Sequence, residues 1–144
     1  MVERRYLLDT DIVIAMLRDR TDKTGIRAHA LRAGLSRCCL SDVSLAELAS
    51  GASKMSTERG FHELAFVQSI LSVVPFGGDD GLAAQTFGRL KADLKRRGTP
   101  LDDMDLLIAS TAIASGMTLV THNVKHFGRI PELVTEDWVG EGRR

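Results

Sequence analysis

Tyr6-Leu7-Leu8-Asp9-Thr10-Asp11-Ile12 opens as a short apolar run and ends in two acids flanking a threonine, after which Ile12, Ala15 and Met16 recur at helical spacing. That pattern reads as strand, turn, helix. The same alternation recurs along the chain. A second amphipathic stretch from Ile26 to Leu35, broken at Gly34, hands over to a short strand at Cys38 to Leu40, and Ser41 and Asp42 open a helix that carries Val43, Ala46 and Ala49 to near Gly51. Phe61, Leu64, Ala65, Gln68 and Leu71 form the next helical face, and Val73-Val74-Pro75 a third strand. Gly77 and Gly78 mark a loop. Leu82 to Arg97 is a long helix whose basic end suits the helix dipole and which stops at Gly98. Thr99-Pro100-Leu101-Asp102 predicts a further helix start, with Thr99 as cap and Pro100 in the first helical position, running to about Ser115. Thr118 to Thr121 is a fourth strand, and the Val134-Thr135 region a fifth. Strands alternating with helices predict an α/β fold, a central parallel sheet of about five short strands flanked by helices, in a single domain over residues 1–144.

Bulk properties narrow the possibilities. The chain has 144 residues, 19 basic and 19 acidic, and 44% hydrophobic content. Such a length buries enough surface to fold without disulfides or a structural metal. No apolar run approaches the ~20 residues of a membrane span, and the first residues are too briefly apolar for a signal peptide, so the expected location is the cytoplasm, with no membrane partner. A net charge of zero argues against gripping nucleic acid by bulk positive charge. The adjacent Cys38 and Cys39 lack the spacing of a metal or redox pair and read as two reduced thiols in a strand.

In an open parallel sheet the ligand site lies beyond the carboxyl ends of the strands. The residues found there are acidic: Asp9 and Asp11 after the first strand, Glu47 in the helix after the second, and Asp102, Asp103 and Asp105 opening the helix that feeds the fourth, which Asn123 follows. Asp9 is also a natural helix cap. Ser44-Leu45-Ala46-Glu47 has capping-box spacing, but Ser41 directly ends the strand and is the better cap, which moves Glu47 into the helix interior. One turn away it meets Val43, Ser44, Ser50 and Gly51, none of them basic. Asp105 meets Leu101, Asp102, Ile108 and Ala109, again without a cation. An unpartnered carboxylate on an apolar face is costly unless something neutralises it, and oxygen ligands without paired Cys favour Mg²⁺ or Mn²⁺. His122 and His126 share a metal-like spacing of four, but in an expected loop they read as surface or supporting residues. The basic group Lys91, Lys95, Arg96 and Arg97 reads first as a solvated helix end.

Four ordered blocks also carry a family resemblance: Tyr6 to Ile12, Leu40 to Leu48, Asp105 to Ala112, and Leu119 to Phe127, with Gly98-Thr99-Pro100 and Thr135-Glu136-Asp137-Trp138 alongside. Together they resemble PIN-domain proteins, above all the VapC toxin group. The resemblance implies a Rossmann-like fold and a Mg²⁺-dependent endoribonuclease, Mn²⁺ being a possible substitute. It further implies a dimer, an RNA substrate of the tRNA or rRNA class, and a VapB-like antitoxin whose C-terminal segment occupies the active-site groove. Carried over, Asp9, Glu47 and Asp105 match the family's core carboxylates, with Asn123, Asp11, Thr121 and Asp102 as supporting residues. Asp11 stands where Asn is frequent, and Asn123 where many members have Asp, which bears on a second metal. Two alternatives stay open. Asp9-Thr10-Asp11-Ile12-Val13 also fits the start of a haloacid-dehalogenase-like phosphatase with Asp9 as nucleophile, Gly78-Asp79-Asp80 being a faint match to its later acidic motif; a catalytically silent PIN-like binding module is left open by Asn123, although the three intact acids argue against it.

Overall fold

A computed structural model describes residues 3–78 and 80–140. Its centre is a five-stranded sheet in the order β3-β2-β1-β4-β5, built from β1 (Tyr6–Leu8), β2 (Cys38–Ser41), β3 (Ser72–Val74), β4 (Thr118–Val120) and β5 (Thr135–Glu136). Every pairing is parallel. Between the strands run α1 (Thr10–Arg18), α2 (Ile26–Ala33), α3 (Asp42–Ala52), α4 (Thr57–Ile70), α5 (Leu82–Arg96), α6 (Asp103–Ala114) and α7 (Val124–Phe127).

Alternation along each strand divides the apolar residues into two cores. Leu7, Cys39 and Leu119 face the α5 and α6 side with Leu90, Leu94, Leu106 and Phe127. Their neighbours Leu8, Cys38, Leu40 and Val120 face the α1 and α2 side with Ile12, Met16, Ile26 and Trp138. The adjacent cysteines therefore serve opposite cores, both as free thiols, and burial pushes the Cys38 thiol up to about 11. Trp138 closes the second core, stacked on His29 at 4.6 Å and edge-on to Tyr6 at 5.1 Å.

The predicted start of the helix before β4 is displaced. The helix expected to start with Thr99 as cap and Pro100 at its first position begins instead at Asp103, capped by Asp102, whose side chain accepts the Met104 N–H at 3.1 Å. Thr99 belongs to the end of α5. The Gly98 N–H reaches the Lys95 carbonyl at 3.1 Å and the Thr99 N–H the Leu94 carbonyl at 3.0 Å, while Gly98 takes φ 71. This paired closure needs a left-handed residue, which glycine supplies at no steric cost, and it commits Thr99 before a cap could form. Likewise α2 ends at Ala33, and a 3₁₀ turn over Leu35–Arg37 leads into β2. No helix among the described residues is long and apolar enough to cross a membrane.

Candidate active site

The sheet order reverses at β1, which has β2 on one side and β4 on the other, so a crevice opens beyond the carboxyl ends of β1 and β4. Asp9 stands at that point. Its N–H donates to the Val120 carbonyl at 2.8 Å, continuing the β1–β4 ladder one residue past the strand. The residue then turns the chain into α1 as its cap. Both carboxylate oxygens are held: Oδ1 accepts the Thr10 N–H at 2.9 Å and Oδ2 accepts the Thr121 hydroxyl at 2.9 Å. Thr121 Oγ1 in turn accepts the Asn123 N–H at 3.0 Å. Asp9 is only 7% exposed. Burial raises its pKa above the ordinary carboxylate value, the hydrogen bonds from Thr121 and Thr10 oppose that rise, and repulsion from Asp11 and Glu47 adds to it.

Glu47 arrives from β2 through α3. Ser41 caps that helix by accepting the Ser44 N–H at 3.0 Å, which sets Ser44 and Glu47, three apart, on one face. The face meets the first residue of α1. Thr10 Oγ1 donates to Glu47 Oε1 at 2.7 Å and lies 2.9 Å from Ser44 Oγ. Neither Thr10 nor Ser44 has a site role in the sequence reading. The only trace of their pairing is a threonine directly after Asp9 and a serine one helical turn before Glu47.

Asp105 occupies the first turn of α6, half-buried and without a hydrogen bond from any described residue. Its pKa rises to about 6 through burial first, then repulsion from Asp9, Asp102 and Glu47, with a partial offset from His126. Those interactions place the three carboxylates predicted for the site within electrostatic reach of one another. No Lys or Arg among the described residues forms an ion pair with any of them.

The supporting residues sort by contact. Thr121 binds Asp9 directly. Asn123 places Nδ2 2.7 Å from His126 Nδ1. Asp102 is the exposed cap of α6, and Asp11, exposed on α1, acts on Asp9 through charge alone. Asp103 leaves the set, paired with Lys91 at 3.0 Å. His122 pairs with Asp137 at 3.0 Å, so the two histidines have separate partners. In Gly78-Asp79-Asp80, Asp79 lies outside the described residues and Asp80 accepts the Leu82 N–H at 3.0 Å at the start of α5.

Among the described residues no three His, Cys, Asp or Glu side chains close into a ready coordination shell. The chemistry of the donors nevertheless fits a hard divalent cation: oxygen only, mutually repelling, and without a Lys or Arg ion pair among the described residues to neutralise them.

Fold and site together define a parallel α/β domain with uncompensated carboxylates at the switch point of its sheet. The PIN-domain family model matches residues 6–133. The tRNA(fMet)-specific endonuclease VapC of Salmonella typhimurium is 34% identical over 135 residues, covering 93% of this chain and 98% of that protein. Ribonuclease VapC2 of Rickettsia felis is 35% identical over 134 residues, covering 92% and 97%. Among solved structures, DNA-bound VapBC from Salmonella typhimurium superimposes with a TM-score of 0.83 at 33% identity, covering 94% of this chain and 98% of that one. VapBC2 from Rickettsia felis, bound to a promoter DNA fragment, gives 0.80 at 34% identity, covering 92% and 98%. The chain belongs to the PIN-domain family, in its VapC branch.

Proposed function

We propose that this protein is a Mg²⁺-dependent endoribonuclease of the VapC kind, held in check by a cognate VapB-like antitoxin and working as a homodimer in the cytoplasm. The observation that carries the reading is the set Asp9, Glu47 and Asp105, brought from three parts of the chain to one sheet edge with no Lys or Arg ion pair among the described residues. The metal supplies Lewis acidity toward the scissile phosphate and an activated water, Mn²⁺ serving as a substitute. Asp9 and Asp105 would hold it, with Glu47 joining directly or through water. Thr121 and the Thr10 N–H fix the plane of the Asp9 carboxylate, and Asn123 offers a neutral hydrogen-bonding group at the rim. Hydrolysis leaves a 5′-phosphate and a 3′-hydroxyl.

Relatives named for tRNA(fMet) cleavage and for VapBC assembly support an RNA substrate of the tRNA or rRNA class and an antitoxin partner. So does a groove between α1, α2 and α4. Its apolar lining includes Met16, Leu17 and Ile70, with Leu31 67% and Phe66 52% exposed. Exposed apolar surface of this kind marks a partner site. Arg18, Arg20, Arg27 and Arg59 line the adjoining cleft and suit an acidic segment or RNA.

The test is end-mapping of RNA incubated with purified protein in Mg²⁺, in Mn²⁺ and in EDTA. Cleavage confined to the metal-containing reactions and abolished in Asp9→Ala and Asp105→Ala is expected. Products that persist in EDTA or in both variants overturn the reading, and RNA binding without products points to the silent binding module.

A further inference from the structure

Thr10 is only 9% exposed, yet it sits between two of the carboxylates and touches both. Its N–H donates to Asp9 Oδ1 at 2.9 Å and its hydroxyl donates to Glu47 Oε1 at 2.7 Å. A threonine hydroxyl has one proton and two lone pairs. With that proton given to Glu47, the contact of 2.9 Å to Ser44 Oγ is satisfied by the Ser44 hydroxyl donating to Thr10. Ser44 is fully buried, and its N–H is held by Ser41 Oγ at 3.0 Å. The direction of the chain is therefore set: Ser44 to Thr10 to Glu47. From this geometry we infer that Thr10 is a positioning residue, which holds Glu47 in the metal-binding arrangement and ties α3 to the turn that carries Asp9.

Glutamate has three rotatable side-chain bonds, and on α3 none of its neighbours one turn away is basic. Without Thr10, nothing else among the described residues hydrogen-bonds its carboxylate. A charge-assisted bond of 2.7 Å from a buried, pre-oriented hydroxyl removes that freedom. One residue thereby sets the relative placement of two acids 38 positions apart in the chain, through its backbone on one side and its side chain on the other. Outer partners of metal ligands typically contribute ~10 to 100-fold in metal affinity or activity.

The inference rests on the metal-dependent reading above, and the experiment separates the two. Mn²⁺ binding is measured by titration calorimetry on the full chain for wild type, Thr10→Val, Thr10→Ser, Glu47→Ala and the double variant T10V/E47A, with metal-free melting temperatures recorded alongside. Thr10→Val, which keeps the shape and removes the hydroxyl, is expected to weaken Mn²⁺ binding by roughly 10-fold, and Thr10→Ser to restore it to within about threefold of wild type. In the Glu47→Ala background Thr10→Val is expected to cost nothing further, because its effect passes through Glu47. Wild type that takes up no Mn²⁺ overturns the metal-dependent reading and this inference with it. Uptake by wild type that Thr10→Val leaves unchanged overturns the inference alone, as does an equal loss in both backgrounds. If Thr10→Val lowers the metal-free melting temperature, Ser44→Ala replaces it in the cycle, since it removes the anchor and leaves Thr10 in place; unchanged Mn²⁺ affinity in Ser44→Ala then overturns the inference.

Discussion

Asp9 and Asp105 answer the same need in opposite ways. Asp9, at the strand-to-helix turn, has the Thr10 N–H on one oxygen and the Thr121 hydroxyl on the other. Asp105, in the first turn of α6, accepts no hydrogen bond from the described residues and is pushed to about 6 by burial and by three neighbouring acids. Two hydrogen bonds offset part of the burial cost of ionising the first; the second has no such offset, and its charge is left for a cation to neutralise. On the proposed metal-dependent reading, the first acid would fix where a metal sits, and the second would make the site's charge sensitive to its presence.

Removing either acid is the bluntest way to test that contrast. Asp9→Ala and Asp105→Ala should each reduce Mg²⁺-dependent RNA cleavage by more than ~100-fold, beyond the usual cost of losing an outer partner of a metal ligand. Initial rates at saturating Mg²⁺ check this. Next in size is Thr121→Val, which frees Asp9 Oδ2 and should cost ~10 to 100-fold in the same assay. It should also cost about 1–3 kcal/mol in stability by urea unfolding, because it leaves a buried acceptor unpaired.

Stability against pH separates the two acids more finely. A carboxyl whose folded pKa lies above its unfolded value stabilises the protein below the unfolded pKa and loses that contribution as pH rises through the folded one. For Asp105 the window runs from the ordinary carboxylate value of 3.8 to about 6. Metal-free protein should therefore lose melting temperature as pH climbs through this window. Asp105→Asn should lose less and be the more stable of the two at pH 7.5, and Mg²⁺ should narrow the difference. A smaller effect is expected at the mouth of the same helix. Asp102→Ala removes the cap of α6, at a cost of about 1 kcal/mol by urea unfolding, and also removes one of the charges that raise Asp105. The loss of stability on raising pH should then be complete at lower pH.

Much of this was legible in the sequence because it depends on local chemistry. The apolar run at Tyr6 to Leu8 followed by Asp9 marks the β1–α1 turn, and Ser41 marks the start of α3 and so places Glu47 one turn inside. The absence of any cation one turn from Glu47 or Asp105 carries over directly into their unneutralised state. The start of α6 was misplaced because Thr99-Pro100 forms a good local signal, while the competing closure at Gly98 engages the Leu94 and Lys95 carbonyls of the preceding helix. Thr10 and Ser44 were illegible as site residues for a different reason. Their hydroxyls meet across 34 positions, and only the packing of α1 against α3 brings them together.

The bond from Thr121 to Asp9 joins positions 112 residues apart, and the Asp9 N–H is satisfied by Val120. Synthesis delivers the N-terminal parts first, so β1 leaves the ribosome long before the strand that completes its far side. Until β4 has emerged, Asp9 lacks both its ladder partner and the hydroxyl that steadies its carboxylate. Contacts of such separation also form slowly once the chain is free. A growing or truncated chain that lacks β4 thus holds all three core acids without an assembled centre.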